Sequence, residues 1–291
     1  MNRRKKGKHQ PKKNDPGQEA KYIPTDEEVE ATIRKSKWGE SYLTRFLADA
    51  HKNILIAYVK QRGYFEMLHN LGVLLEKLNA CLTYSDSDLS SFVVLSLFAR
   101  ACGNFFAAVR LAASGQLTES YAQLRVCIEN ALYASYIRSK PGLAQVWADR
   151  HQSEEKRKKC RDSFKISSMI ENLQSQSRAL AKRVKKEYDT CIDFGAHPNE
   201  RSVVPNLQMA KNGSLRHYLF NTEPGVYGAC LLAVVSMALS VVEIFEKVYP
   251  NEFKEINGRQ RVQTIQDQYM RIAPGVVVAL KSSTLDMNKQ G

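Results

Sequence analysis

Two stretches of the chain set polar side chains where the surrounding pattern calls for apolar ones. In the segment 117–138, taking roughly 100° per residue, Leu117, Leu124, Ile128 and Leu132 form one apolar stripe. Arg125 and Glu129 fall on its margin rather than on the opposite, solvated face. Charges in such a position must be paired or must face a cleft. The order Arg then Glu is the less favourable one for a purely local helix pair, which points to partners elsewhere in the fold. The second stretch runs from Tyr188 through Asp193, Gly195 and His197 to Asn199. His197 lies just past the glycine and precedes Pro198, which biases its backbone toward an extended form. Imidazole is the natural proton donor or acceptor near neutral pH. Arginine clamps anions, so Arg125, Glu129, Tyr188 and His197 are expected to converge on one interior-facing cleft for a phosphate-bearing ligand. A structural salt bridge, and a histidine that only complements a helix C-terminus, are the competing readings.

Other chemistry is sparse. There is no glycine-rich phosphate loop, no H-E-x-x-H pair and no nucleophile elbow. The six cysteines (Cys81, Cys102, Cys127, Cys160, Cys191 and Cys230) form no C-x-x-C pair and no zinc spacing. Several lie in apolar helical stretches, where a thiol behaves as a small hydrophobe. They are read as reduced, so the expected compartment is cytoplasmic, and no metal and no cofactor is expected.

The elements that must position these residues are helical. From Pro24 to Pro141 there is no proline, as suits helix interiors. Thr25 and Glu28 read as a capping box opening a first helix that ends near Gly39. Helical periodicity then runs from about 41 to 82, kinked or divided at Gly63. Residues 83–88 read as a turn into an N-cap, followed by an apolar helix over 88–113 that stops at Gly115. Further helices are expected over 117–138, after Pro141, over 167–194 and over 226–248. Between Pro198 and Pro224 the pair Asn212-Gly213, flanked by some alternation, predicts a small β-hairpin insert at about 203–220. The fold class is therefore all-α, a helical bundle with that insert. Its expected divisions are a disordered basic tail over 1–23, a bundle domain over 24–250, and a polar, partly helical extension over 251–291 with a frayed end.

The net charge of +13 is uneven: residues 1–13 carry seven basic side chains and no acidic one, leaving +6 on the rest. Such a tail attracts polyanions, so nucleic acid is one expected partner; a solvating tail is the plain alternative. The charged run from Glu154 to Arg161 is a solvated face or a surface for RNA or protein. The apolar helices at 88–113 and 226–248 raise the question of a membrane. Arg100 and Arg110 interrupt the first, and a bundle needs such helices for its own core, so no membrane span is expected.

The run from Arg110 to Glu129, containing Arg125-x-x-x-Glu129, followed by Tyr133, Trp147, Arg150 and the His197-Pro198-Asn199 turn, resembles a loosely defined family of helical bacterial proteins similar to the HEPN superfamily. The likeness covers about residues 88–248. It implies a helical bundle and a nucleic-acid-directed role, as an RNA effector in bacterial stress or phage defence. If the chain is an enzyme, the resemblance implies a metal-independent ribonuclease. The alternative is a non-catalytic helical interaction module, the partner of a toxin or defence pair; a homodimer is compatible with either. HEPN ribonucleases carry an Arg-x4–6-His motif, in which arginine holds phosphate and histidine assists transesterification. Arg45…His51 and Arg62…His69 match that spacing, while His197 has no arginine at it.

Overall fold

A computed structural model describes residues 24–83, 88–209 and 213–289. The basic tail, most of the 83–88 turn and Asn212 lie outside those residues. The architecture is all-α. In chain order the helices are α1 (Asp26–Lys35), α2 (Tyr42–Lys60), α3 (Arg62–Cys81), α4 (Leu89–Ser114), α5 (Leu117–Ser139), α6 (Leu143–Ala148), α7 (Glu154–Ser163), α8 (Ile166–Gln176), α9 (Arg178–Cys191), α10 (Glu200–Val203), α11 (Pro224–Val248), α12 (Pro250–Glu255) and α13 (Gly258–Lys289). A π-turn, Ile192–Ala196, prolongs α9. Strands β1 (Leu207–Met209) and β2 (Leu215–His217) pair antiparallel, with Leu207 opposite His217, and Gly213 between them takes φ 78°.

The chain forms two compact units, one up to Ala48 and one from Asp49 on. In the first, Thr25 accepts from the Glu28 amide while the Glu28 carboxylate accepts from the Thr25 amide, closing the expected capping box. Gly39, at φ 89°, makes the turn and donates its N–H to Thr44 Oγ1. In the second, α5 and α11 are the central helices, with α4, α8 and α9 packed on α5 and α3, α9 and α13 packed on α11. Phe98 and Phe245 meet edge to face at 4.9 Å between ring centroids. Tyr227 donates its buried hydroxyl to the Ala113 carbonyl at 2.9 Å. Gly115 ends α4 at φ 91°, where only glycine is unstrained.

Four boundaries differ from the sequence reading, each for a local reason. The division expected at Gly63 falls at Gln61, and Gly63 sits in the first turn of α3 because a side chain there would strike Ile272. The single helix expected over 167–194 is two, since Ser177 caps a new helix by accepting from the Leu180 amide. No boundary separates the residues after 250 from the bundle. On α13, Val262, Ile265 and Val276 are buried and Tyr269 and Ile272 pack on the core, an apolar stripe at helical spacing that mean polarity conceals. The same helix continues to Lys289, where fraying is expected from composition.

Candidate functional site

Helix α5 sets Arg125 and Glu129 one turn apart on a half-exposed face, and α9 brings Tyr188 against them. Arg125 Nε donates to Glu129 Oε1 at 2.9 Å, and the Tyr188 hydroxyl donates to the same oxygen at 3.0 Å. The guanidinium carbon stands 5.5 Å from the Tyr188 ring centroid, a cation–π geometry. Burial and, behind it, the nearby Glu129 carboxylate push the Tyr188 phenol above its ordinary value. The side chains of Arg125 and Glu129 keep 31% and 28% of their surface exposed. This is a linked trio in which each charge already has a partner.

His197 is held differently. The π-turn lies flat on the start of α5: Phe194 packs on Tyr121 at 5.5 Å, and a Cβ on Gly195 would come within 2.5 Å of the Thr118 carbonyl. Beyond it Asn199 caps α10, Ser202 Oγ donates to the His197 carbonyl at 2.9 Å, and Thr118 Oγ1 donates to the Ser202 carbonyl. His197 itself is exposed, and no hydrogen bond ties its ring to the trio. The residues that anchor its turn reach Thr118, and eleven residues of helix separate Thr118 from Glu129, roughly 16 Å along the axis. Three of the four residues are thus joined, and the fourth belongs to a turn docked two to three helical turns away.

A second constellation lies on α3. Arg62, Glu66 and His69 are exposed at i, i+4 and i+7, one face of the helix. With Tyr58, Phe65, Phe105, Phe106 and Val109 they line an open cleft of about 550 Å³. The Arg62 guanidinium carbon stands 5.8 Å from the Tyr58 ring centroid, which orients it. Neither Glu66 nor His69 has a hydrogen-bond or ion-pair partner among the described residues. The Arg62…His69 spacing is visible in the sequence, but the cleft is not. The other spacing match, Arg45…His51, crosses the limit between the two units, and Arg45 donates to the Glu40 carbonyl.

Comparison with protein-family models, curated proteins and solved structures finds no match to this chain. Function therefore has to be read from these two constellations. Among the described residues no three His, Cys, Asp or Glu side chains cluster as metal ligands. The cysteines are free, and burial pushes the Cys102 and Cys230 thiols up to about 12, which leaves them poor nucleophiles.

Proposed function

We propose that this protein is a HEPN-like, RNA-directed effector whose phosphate chemistry takes place in the α3 cleft. The observation that carries this reading is that Arg62 and His69, at the spacing used by HEPN ribonucleases, line the same open cleft. Along the helix axis they are roughly 10 Å apart, a span that one phosphodiester and its ribose fill. Arg62 holds the non-bridging phosphate oxygens. Neutral His69 takes the proton of the ribose 2′-hydroxyl as O2′ bonds to phosphorus; the P–O5′ bond breaks and O5′ takes a proton from water. The products are a 2′,3′-cyclic phosphate and a 5′-hydroxyl. Tyr58 and Phe65 offer aromatic faces beside the cleft on which a base can stack. The trio on α5 acts as a structural tie in this reading.

The test is cleavage of a single-stranded RNA in the presence of a chelator. His69→Ala and Arg62→Ala should each lower the rate by about a hundredfold or more, with unchanged melting temperature because both side chains are exposed. A 2′-deoxy residue at the scission point should block cleavage. Full activity in His69→Ala, or a wild-type protein that leaves RNA intact, would overturn the reading. The second outcome would favour a non-catalytic interaction module, to which the uncovered apolar face of α4 already points.

A further inference from the structure

Helices α4 and α11 are both long and apolar enough to cross a membrane, yet they are covered very differently. The most apolar window of α11 is 78% buried within the fold, that of α4 only 39%. The uncovered face of α4 follows helical spacing: Asp88 at its N-cap, then Phe92, Ala99, Gly103, Phe106 and Arg110, all exposed. Phe92 and Phe106 keep 46% and 53% of their surface in solvent, and a Cβ on Gly103 would meet nothing within 4 Å. Next to this face a groove of about 630 Å³ separates α4 from α3, with Gly72, Ala99 and Cys102 among its lining residues and Phe106 at its edge.

We propose that this face receives a second copy of the same chain, with the two α4 helices crossing antiparallel at Ala99. The spacing of the face supports this occupant over an unrelated one. Phe92 and Phe106 each lie seven residues from Ala99, roughly 10 Å along the axis. An antiparallel crossing at Ala99 therefore sets Phe92 of one copy opposite Phe106 of the other, and each ring lands where the small residues leave room. Asp88 and Arg110 each lie eleven residues from Ala99, so the same crossing brings opposite charges together at both ends. Arg110 has no ion-pair partner among the described residues. A two-fold contact requires one patch to carry both the projections and the spaces that receive them, and this one does.

The area is adequate as well. Leu89, Phe92 and Phe106 of α4 with Leu55, Ile56, Tyr58 and Val59 of α2 are between 37% and 68% exposed. Together they present apolar surface on the order of 700 Å², close to the roughly 800 Å² per partner that a stable interface buries. Monomeric proteins seldom leave so much apolar surface uncovered. The small residues at the crossing allow the helix axes to approach at the short end of the usual range of about 8–10 Å. This inference is independent of the RNA reading, since none of its arguments uses Arg62 or His69.

Three measurements on the full chain test it. Light scattering after gel filtration, at micromolar concentrations, should give a mass near twice that of the 33.0 kDa chain. Phe92→Glu should return the mass to that of one chain with helical content intact, because Phe92 is half exposed and outside the buried core. Ala99→Cys should form an interchain disulfide under mild oxidation, whereas Met270→Cys, on the exposed side of α13 at 68% exposure, should not. His69→Ala should dimerise like wild type, which separates failure here from failure of the RNA reading. A single-chain mass at every concentration overturns the proposal, as does a dimer that survives Phe92→Glu. Cross-linking of Ala99→Cys no better than that of Met270→Cys also overturns it. So does a monomer that floats with phosphatidylglycerol vesicles, which would make the face a membrane contact.

Discussion

At the scale of single residues, Arg125 and Glu129 show how exposure changes the energetics of a charged pair. Deep in a core, removing one partner strands the other at a cost of about 3–5 kcal/mol. Here both side chains keep nearly a third of their surface, so water screens whichever charge remains. Arg125→Ala and Glu129→Ala should each destabilise by about 1 kcal/mol in urea unfolding. Tyr188→Phe should couple to Glu129→Ala in a double-mutant cycle, because its hydroxyl donates to Glu129 Oε1. His197→Ala should leave the midpoint unchanged, since only its backbone carbonyl is engaged in the turn. A large loss of stability in His197→Ala would mean that its ring carries a packing role that its exposure does not indicate.

At the scale of elements, the π-turn after α9 depends on one position. Gly195 lies against the backbone of α5, with the Thr118 carbonyl, Tyr121 Cβ and the Ala122 amide all within 2.8 Å of where a Cβ would stand. Backbone atoms cannot yield as a flexible side chain can. Gly195→Ala should therefore push the turn away from α5 and cost about 1–3 kcal/mol. It should also raise hydrogen exchange at Phe194 and Ser202, which anchor the turn through Tyr121 and Thr118. If Gly195→Ala unfolds at the wild-type midpoint, the turn is not docked as described.

At the scale of the whole molecule, a buried polar chain runs through the bundle from α9 to α11 and on to α13. Ser236 Oγ donates to Glu187 Oε1 at 2.7 Å, Arg183 Nε donates to Ser240 Oγ at 2.8 Å, and Arg183 Nη2 pairs with Glu243 at 2.7 Å. Gln266 of α13 donates to the other Glu243 oxygen at 3.1 Å. Glu187 Oε2 is buried with no hydrogen-bond partner, and burial raises the Glu187 carboxyl above its model value of 4.5. The sign follows from linkage: between the ordinary and the raised value the folded protein binds more protons than the unfolded chain. Glu187 therefore contributes stability that is fully present below about 4.5 and is lost as pH rises through its folded-state value. Glu187→Gln should flatten that part of the pH–stability curve and raise the melting temperature relative to wild type at neutral pH. An unaltered slope would show that Glu187 stays ionised through solvent contact.

Local signals determined much of this protein. Thr25 with Glu28 named a helix start, Gly115 a helix stop, and Asn212-Gly213 a hairpin whose strands pair as β1 and β2, because capping and turn chemistry act over three or four residues. The helical angle of Arg125 and Glu129 placed them on the edge of the apolar stripe, where they lie. What the sequence could not supply were the meetings between segments far apart along the chain. Tyr188 meets Glu129 only because α9 packs on α5. Arg62…His69, one of two spacing matches of a kind that chance readily produces, gained weight only when α2, α3 and α4 enclosed a cleft around it. The exposed face of α4 was equally hidden. Its composition reads as a core helix, and only tertiary packing decides that α11 receives the cover while α4 keeps Phe92 and Phe106 in water, since burial is set by neighbours and not by the residues themselves.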